Sequence, residues 1–169
     1  MKRILIGALG AMVAATSVHA QTVVLARHAE KADQGEDPAL SETGQARAQA
    51  LAAALADAGV NRILVTPLQR TGQTAGPTAA AAGIEPEAIS LDGGVPAHAA
   101  RVAEAVRRSG PHEVILVVGH SNTVADIAHA LGDDDAPPLA DCEYDRLLVI
   151  QLGDEPTVVR SRYGEPSNC

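Results

Sequence analysis

Apolar runs and alanine-rich stretches alternate along this chain. Thr22 to Ala26 (TVVLA) is a continuous apolar run, as a strand buried on both faces requires. Residues 27 to 40 are polar, contain Gly35 and Pro38, and read as a loop. Ser41-Glu42-Thr43-Gly44 then opens a helix expected to reach about Ala58, with Ser41 as its cap and Gly59 as its stop. Arg62 to Val65 reads as a second strand, ending in Thr66-Pro67. The next helix starts near Gln69 and closes at Gly83, and Pro77 inside it predicts a kink or a break. Ala88 to Leu91 is a weak third strand, and Pro96 to Arg108 is a third helix closed by Ser109-Gly110-Pro111. Glu113 to Val118 (EVILVV) is the strongest strand signal and runs straight into Gly119-His120. Ser121 to Leu131 has a helical pattern that ends at Gly132. After an acidic loop from Asp133 to Asp141, Arg146 to Leu152 and Thr157 to Arg162 read as closing strands.

Strands alternating with helices predict an α/β fold, a three-layer sandwich with a mostly parallel sheet and helices on both faces. No repeat or shift of composition divides it. The first twenty residues follow a different grammar. Met1-Lys2-Arg3 is basic, Ile4 to Ala15 is apolar without a charge, and Val18 and Ala20 stand where a signal peptidase reads small residues. The expectation is a cleaved signal at 1–20, a single domain over 21–169, and a periplasmic or secreted protein with no membrane span after cleavage. An uncleaved anchor is the alternative, and the run falls short of the roughly 20 apolar residues a span takes.

Composition narrows the partners. Loss of Lys2 and Arg3 would take the net charge from −8 to −10, a field that repels nucleic acid and anionic lipid. Phe and Trp are absent and tyrosine occurs only at Tyr144 and Tyr163, so stacking platforms for bases are missing. Cys142 and Cys169 form an even pair, which in an exported chain reads as a disulfide worth roughly 3 kcal/mol.

Chemistry is expected beyond the carboxyl ends of parallel strands. Three apolar runs end there in polar residues: Arg27-His28-Ala29-Glu30-Lys31, Thr66-Pro67-Leu68-Gln69-Arg70-Thr71 and Gly119-His120-Ser121-Asn122-Thr123. Two arginines and two histidines on one sheet edge suit a phosphate dianion, since guanidinium forks bind its oxygens and a helix starting at Ser121 would add N–H donors. A neutral histidine nitrogen can attack phosphorus, provided its other nitrogen donates to a fixed acceptor, which the sequence does not name. His98, His112 and His129 read as surface histidines. Lys31 reads equally as an exposed lysine or as an extension of the positive pocket, and Asp133-Asp134-Asp135 as a solvated loop.

Arg27-His28 after a strand, Arg70 in Thr-Pro-Leu-Gln-Arg-Thr, Gly119-His120 after a late strand and Leu40-Ser-Glu-Thr-Gly44 together resemble the histidine phosphatase, or phosphoglycerate-mutase-like, superfamily over nearly all of residues 22–162. The resemblance implies that His28 becomes phosphohistidine and that Arg27, Arg70 and His120 bind the phosphate. It implies an acid for the leaving oxygen, with Asp92 the candidate and Asp126 and Glu30 competing. It also implies chemistry without a metal or other cofactor, consistent with the lack of CxxC, HxH or HExxH. The expected function is hydrolysis of phosphate monoesters, with a phosphorylated small molecule or an envelope glycolipid phosphate as substrate. A non-catalytic phosphate-ligand binder of the envelope is the alternative. A phosphoglycerate-type mutase is disfavoured, because its closed site needs extra covering segments.

Overall fold

The computed structural model of the chain describes residues 21–169. The leader expected at 1–20 lies outside the described residues. Six strands form one mixed sheet: β1 (Thr22–Arg27), β2 (Arg62–Val65), β3 (Glu87–Ala88), β4 (Val114–Gly119), β5 (Arg146–Gln151) and β6 (Thr157–Arg162). Their spatial order is β3-β2-β4-β1-β5-β6. The first four strands are mutually parallel, and β5 and β6 close the sheet antiparallel.

Period-two alternation in the central strands feeds both faces. Val23 and Leu25 of β1 and Ile115 and Val117 of β4 pack with helices α3 (Gly94–Arg107) and α4 (Val124–Ala130). Val24, Ala26, Leu116 and Val118 point the other way, towards α1 (Glu42–Ala54) and α2 (Gln69–Ala82). The helices answer with the complementary period: α1 buries Gly44, Arg47, Ala48 and Leu51, and α3 buries Ala99, Val102, Ala103 and Val106. The result is the three-layer α/β sandwich with a mostly parallel sheet. Among the described residues no helix is long and apolar enough to cross a membrane.

Several local expectations are corrected. Strand β3 is two residues long, because beyond Ile89 the carbonyl of Ser90 is taken by His98 Nδ1 (3.0 Å) and Arg101 Nε (3.3 Å) rather than by a sheet neighbour. That contact also buries His98, which is no surface histidine. Helix α2 runs unbroken through Pro77. Helix α4 starts at Val124 rather than Ser121, since Thr123 and Val124 both donate to the His120 carbonyl and wind 120–123 into a turn. Asp133 is buried and bound by Arg160 (2.6 and 2.7 Å), whereas Asp134 and Asp135 are exposed. Cys142 and Cys169 are joined in a disulfide.

Candidate active site

The register of the sheet sets the distance between the two histidines. Strands β1 and β4 pair in parallel with Arg27 opposite Gly119, so His28 and His120 leave adjacent strand ends side by side. The His28 N–H donates to the Gly119 carbonyl (2.8 Å), and the two rings stand edge-on with centroids 5.2 Å apart. Gly119 admits no side chain here, because a Cβ would come within 2.7 Å of Thr123 Oγ1, the atom that accepts the His120 N–H (2.8 Å).

Each ring has a defined neighbour. His28 Nδ1 lies 2.8 Å from the Ala29 carbonyl, which can only accept. Nδ1 therefore carries the proton, and Nε2 is the bare nitrogen. Ala29 is in turn fixed by its own N–H, donated to Thr74 Oγ1 on α2 (2.9 Å). His120 Nε2 lies 3.0 Å from Thr66 Oγ1 at the end of β2. Burial is the main reason that His28 is pulled down to about 4, helped by Arg27, Arg70 and Lys31 and opposed by the Ala29 hydrogen bond. Burial likewise brings His120 down to about 3, with His28, Arg70, His98 and Arg27 adding to it. Both imidazoles are neutral at neutral pH, as an attacking nitrogen must be.

Arg27, His28, Arg70 and His120 line one cavity of about 600 Å³. Burial lowers Arg27 from its ordinary value, opposed by Tyr144, Asp141, Glu30 and Glu143, and the guanidinium stays charged. Arg27 Nε and Arg70 Nε and Nη1 are buried without a hydrogen-bond partner. Arg70 Nη1 is 3.5 Å from Asp37 Oδ1, close enough for Coulomb attraction but too long for a good hydrogen bond. Unpaired buried donors are costly, and the two guanidinium charges on the cavity wall suit an oxyanion ligand. Lys31 also lines the cavity, with Gln34 Oε1 as a neighbour at 3.1 Å. Ser121, Asn122 and Thr123 line it from the turn before α4.

The structure does not bring the expected acid in. Asp92 is exposed in a turn whose next two residues, Gly93 and Gly94, have φ of 78° and 81°, a conformation that favours glycine. Leu91, Gly94 and Val95 reach the cavity wall, but Asp92 does not. Asp126 is exposed on α4, and Glu30 is committed to Arg47 (2.7–3.0 Å). The carboxylate residue on the wall is Asp141. Tyr144, also on the wall, was missed by the sequence reading: its ring centroid is 4.0 Å from the Arg27 guanidinium carbon and 6.2 Å from the His28 ring. Its rarity in a chain with two aromatic residues was the signal available.

Chemically, this is a basic, partly apolar cavity with one neutral nitrogen nucleophile and fixed cations around it, suited to phosphoryl transfer. The histidine phosphatase superfamily (branch 1) matches the chain over residues 19–90. Solved structures with the same fold include the protein histidine phosphatase SixA complexed with tungstate, with a TM-score of 0.67 and 19% identity over 83% of this chain and 96% of that one. The putative phosphohistidine phosphatase SixA from Agrobacterium tumefaciens aligns with a TM-score of 0.63 and 21% identity, covering 86% of this chain and 98% of that one. A mycobacterial glucosyl-3-phosphoglycerate phosphatase gives 0.62 and 17%, over 86% and 99%. At these identities the TM-scores show a common fold and nothing further. No protein of curated function matches the sequence. The histidine phosphatase superfamily match thus spans β1 to β3, and the solved structures share the fold over the rest of the chain.

Proposed function

We propose that this protein is an exported, metal-independent phosphatase that hydrolyses phosphate monoesters through a phosphohistidine on His28. The observation that carries the reading is the set of buried, unpartnered N–H donors on Arg27 and Arg70 beside a histidine whose Nε2 is bare. In the first step, Nε2 attacks phosphorus and the ester oxygen departs with its electron pair. Arg27, Arg70 and His120 hold the non-bridging oxygens as charge redistributes. In the second step, water attacks the phosphohistidine, releasing phosphate and restoring the neutral imidazole.

The leaving oxygen of an alkyl ester needs a proton, and with Asp92 off the cavity wall Asp141 is the carboxylate residue that lines it. Leaving groups that depart readily, such as an activated phenol or the imidazole of a phosphohistidine, depend least on that proton and are the ones we expect to turn over fastest. In an oxidising compartment, phosphorylated small molecules and envelope glycolipid phosphates are the accessible monoesters. The Cys142–Cys169 disulfide supports that compartment.

The test is hydrolysis of an aryl phosphate by residues 21–169 and by the His28→Ala variant, without added metal. Turnover abolished by the variant supports the reading. A folded wild-type protein that binds orthovanadate but turns nothing over would replace it with the non-catalytic binder.

A further inference from the structure

The segment 140–144 belongs to neither a helix nor a strand, yet it holds the first residue of the Arg-His pair. Arg27 Nη1 donates to three of its carbonyls, those of Ala140 (3.1 Å), Asp141 (2.9 Å) and Glu143 (3.0 Å). Tyr144 then lays its ring against the same guanidinium at 4.0 Å. With Nη1 engaged, Nε remains the buried donor without a partner. Segment 140–144 thus determines how the guanidinium is presented to the cavity.

The segment has one turn hydrogen bond of its own, from the Glu143 N–H to the Ala140 carbonyl (3.0 Å), and Arg146 holds the Glu143 carboxylate (2.7 and 2.9 Å); its further ties run to the C-terminus. The Cys142–Cys169 disulfide is the covalent one. Ser167 Oγ accepts the N–H groups of Tyr144 (2.8 Å) and Asp145 (3.1 Å) and donates to Asp145 Oδ1 (2.9 Å). Ser167 N–H donates to Asp145 Oδ2 (3.2 Å), and Arg162 grips Asp145 at 2.6 Å. The tail is itself held by Arg47, whose Nη1 donates to the Glu165 carbonyl (2.9 Å).

We propose that Tyr144 is a positioning residue for Arg27, and that the Cys142–Cys169 disulfide sets oxyanion affinity by holding the Tyr144 segment against that arginine. This rests on the reading of Arg27 as a phosphate ligand. It differs from a general stabilising role, in which the disulfide would raise the melting temperature and leave the folded site unchanged.

The experiment measures the orthovanadate Kd, and KM and kcat on an aryl phosphate, each below the variant's melting temperature. The proteins are wild type, Tyr144→Phe, Tyr144→Leu, the double variant Cys142→Ala/Cys169→Ala, and Arg27→Lys in wild-type and cysteine-free chains. Tyr144→Phe keeps the ring face and should stay near wild type. Tyr144→Leu should weaken vanadate binding roughly 3- to 30-fold, the range of a desolvated cation–π contact. The cysteine-free chain should show a similar or larger loss, and adding Arg27→Lys to it should cost much less than in wild type. Equal affinity for the Phe and Leu variants would overturn the role of Tyr144. Wild-type affinity in the folded cysteine-free chain, or full additivity with Arg27→Lys, would overturn the role of the disulfide. The Tyr144 arm retains the disulfide, so it remains decisive if the cysteine-free chain does not fold. Wild-type protein that binds no vanadate would refute the phosphate reading itself, and this inference with it.

Discussion

Acid should destabilise this protein early, and the loss should trace to the active-site histidines. His28 and His120 are 4% and 7% exposed, and burial brings them to about 4 and about 3. In the unfolded chain both titrate near 6.5. The folded values are the lower ones, so the unfolded state takes up protons first as pH falls. Stability from these groups is full above about 6.5 and is lost below it, down to the folded values. At pH 5 each histidine has lost about 1.5 units at 1.36 kcal/mol per unit, or about 4 kcal/mol for the pair. His98 is also pulled down by burial and adds a loss of the same sign. Urea denaturation at pH 7.5, 6.0 and 5.0 reads this directly. His28→Asn and His120→Asn should each remove about half of the pair's share, and the double variant should retain only the His98 part. A wild-type midpoint that does not move, or a double variant that loses as much as wild type, would refute the assignment. The same shift governs turnover. At pH 5 an ordinary imidazole is only about 3% neutral, against about 90% for one titrating near 4. The visible acid limb of kcat/KM should therefore follow the substrate's second phosphate ionisation, near 6, rather than His28.

Two substitutions probe the site and its support. Arg70→Ala should weaken orthovanadate binding by at least about 2 kcal/mol, or roughly thirty-fold, because it removes a nearly buried charge from the oxyanion; unchanged affinity in a titration would mean that Arg70 does not face the ligand. Gly44→Ala should cost about 1–3 kcal/mol in urea denaturation, since its Cβ would stand 2.2 Å from the Glu30 carbonyl oxygen. Gly72→Ala on α2, with nothing within 4 Å of its Cβ, is the matched control and should be neutral or stabilising.

What was legible in the sequence, and what was not, separates along a physical line. The side-by-side placement of His28 and His120 could be anticipated because apolar runs mark β1 and β4, and parallel strands deliver their carboxyl ends to one edge. Arg70 was legible for the same reason, as the second residue of α2, which follows β2 after a short loop. Positions fixed by tertiary partners were not. Ala29 orients His28 through a backbone carbonyl, and every residue has one. His98 and Asp133 are buried by partners 8 and 27 residues away, so their local polar context misled the reading. Asp92 and Asp141 both sit in loops, where the course of the backbone rather than the residue type decides which reaches the cavity. The disulfide combines the two cases. Its pairing follows from a count of two cysteines, but its bearing on Arg27 depends on three carbonyls and a ring brought together only by the folded tail. Strand ends inherit their position from the periodic sheet, whereas a loop that contributes to the same cavity must be tied there, and at Tyr144 the ties are the C-terminus itself.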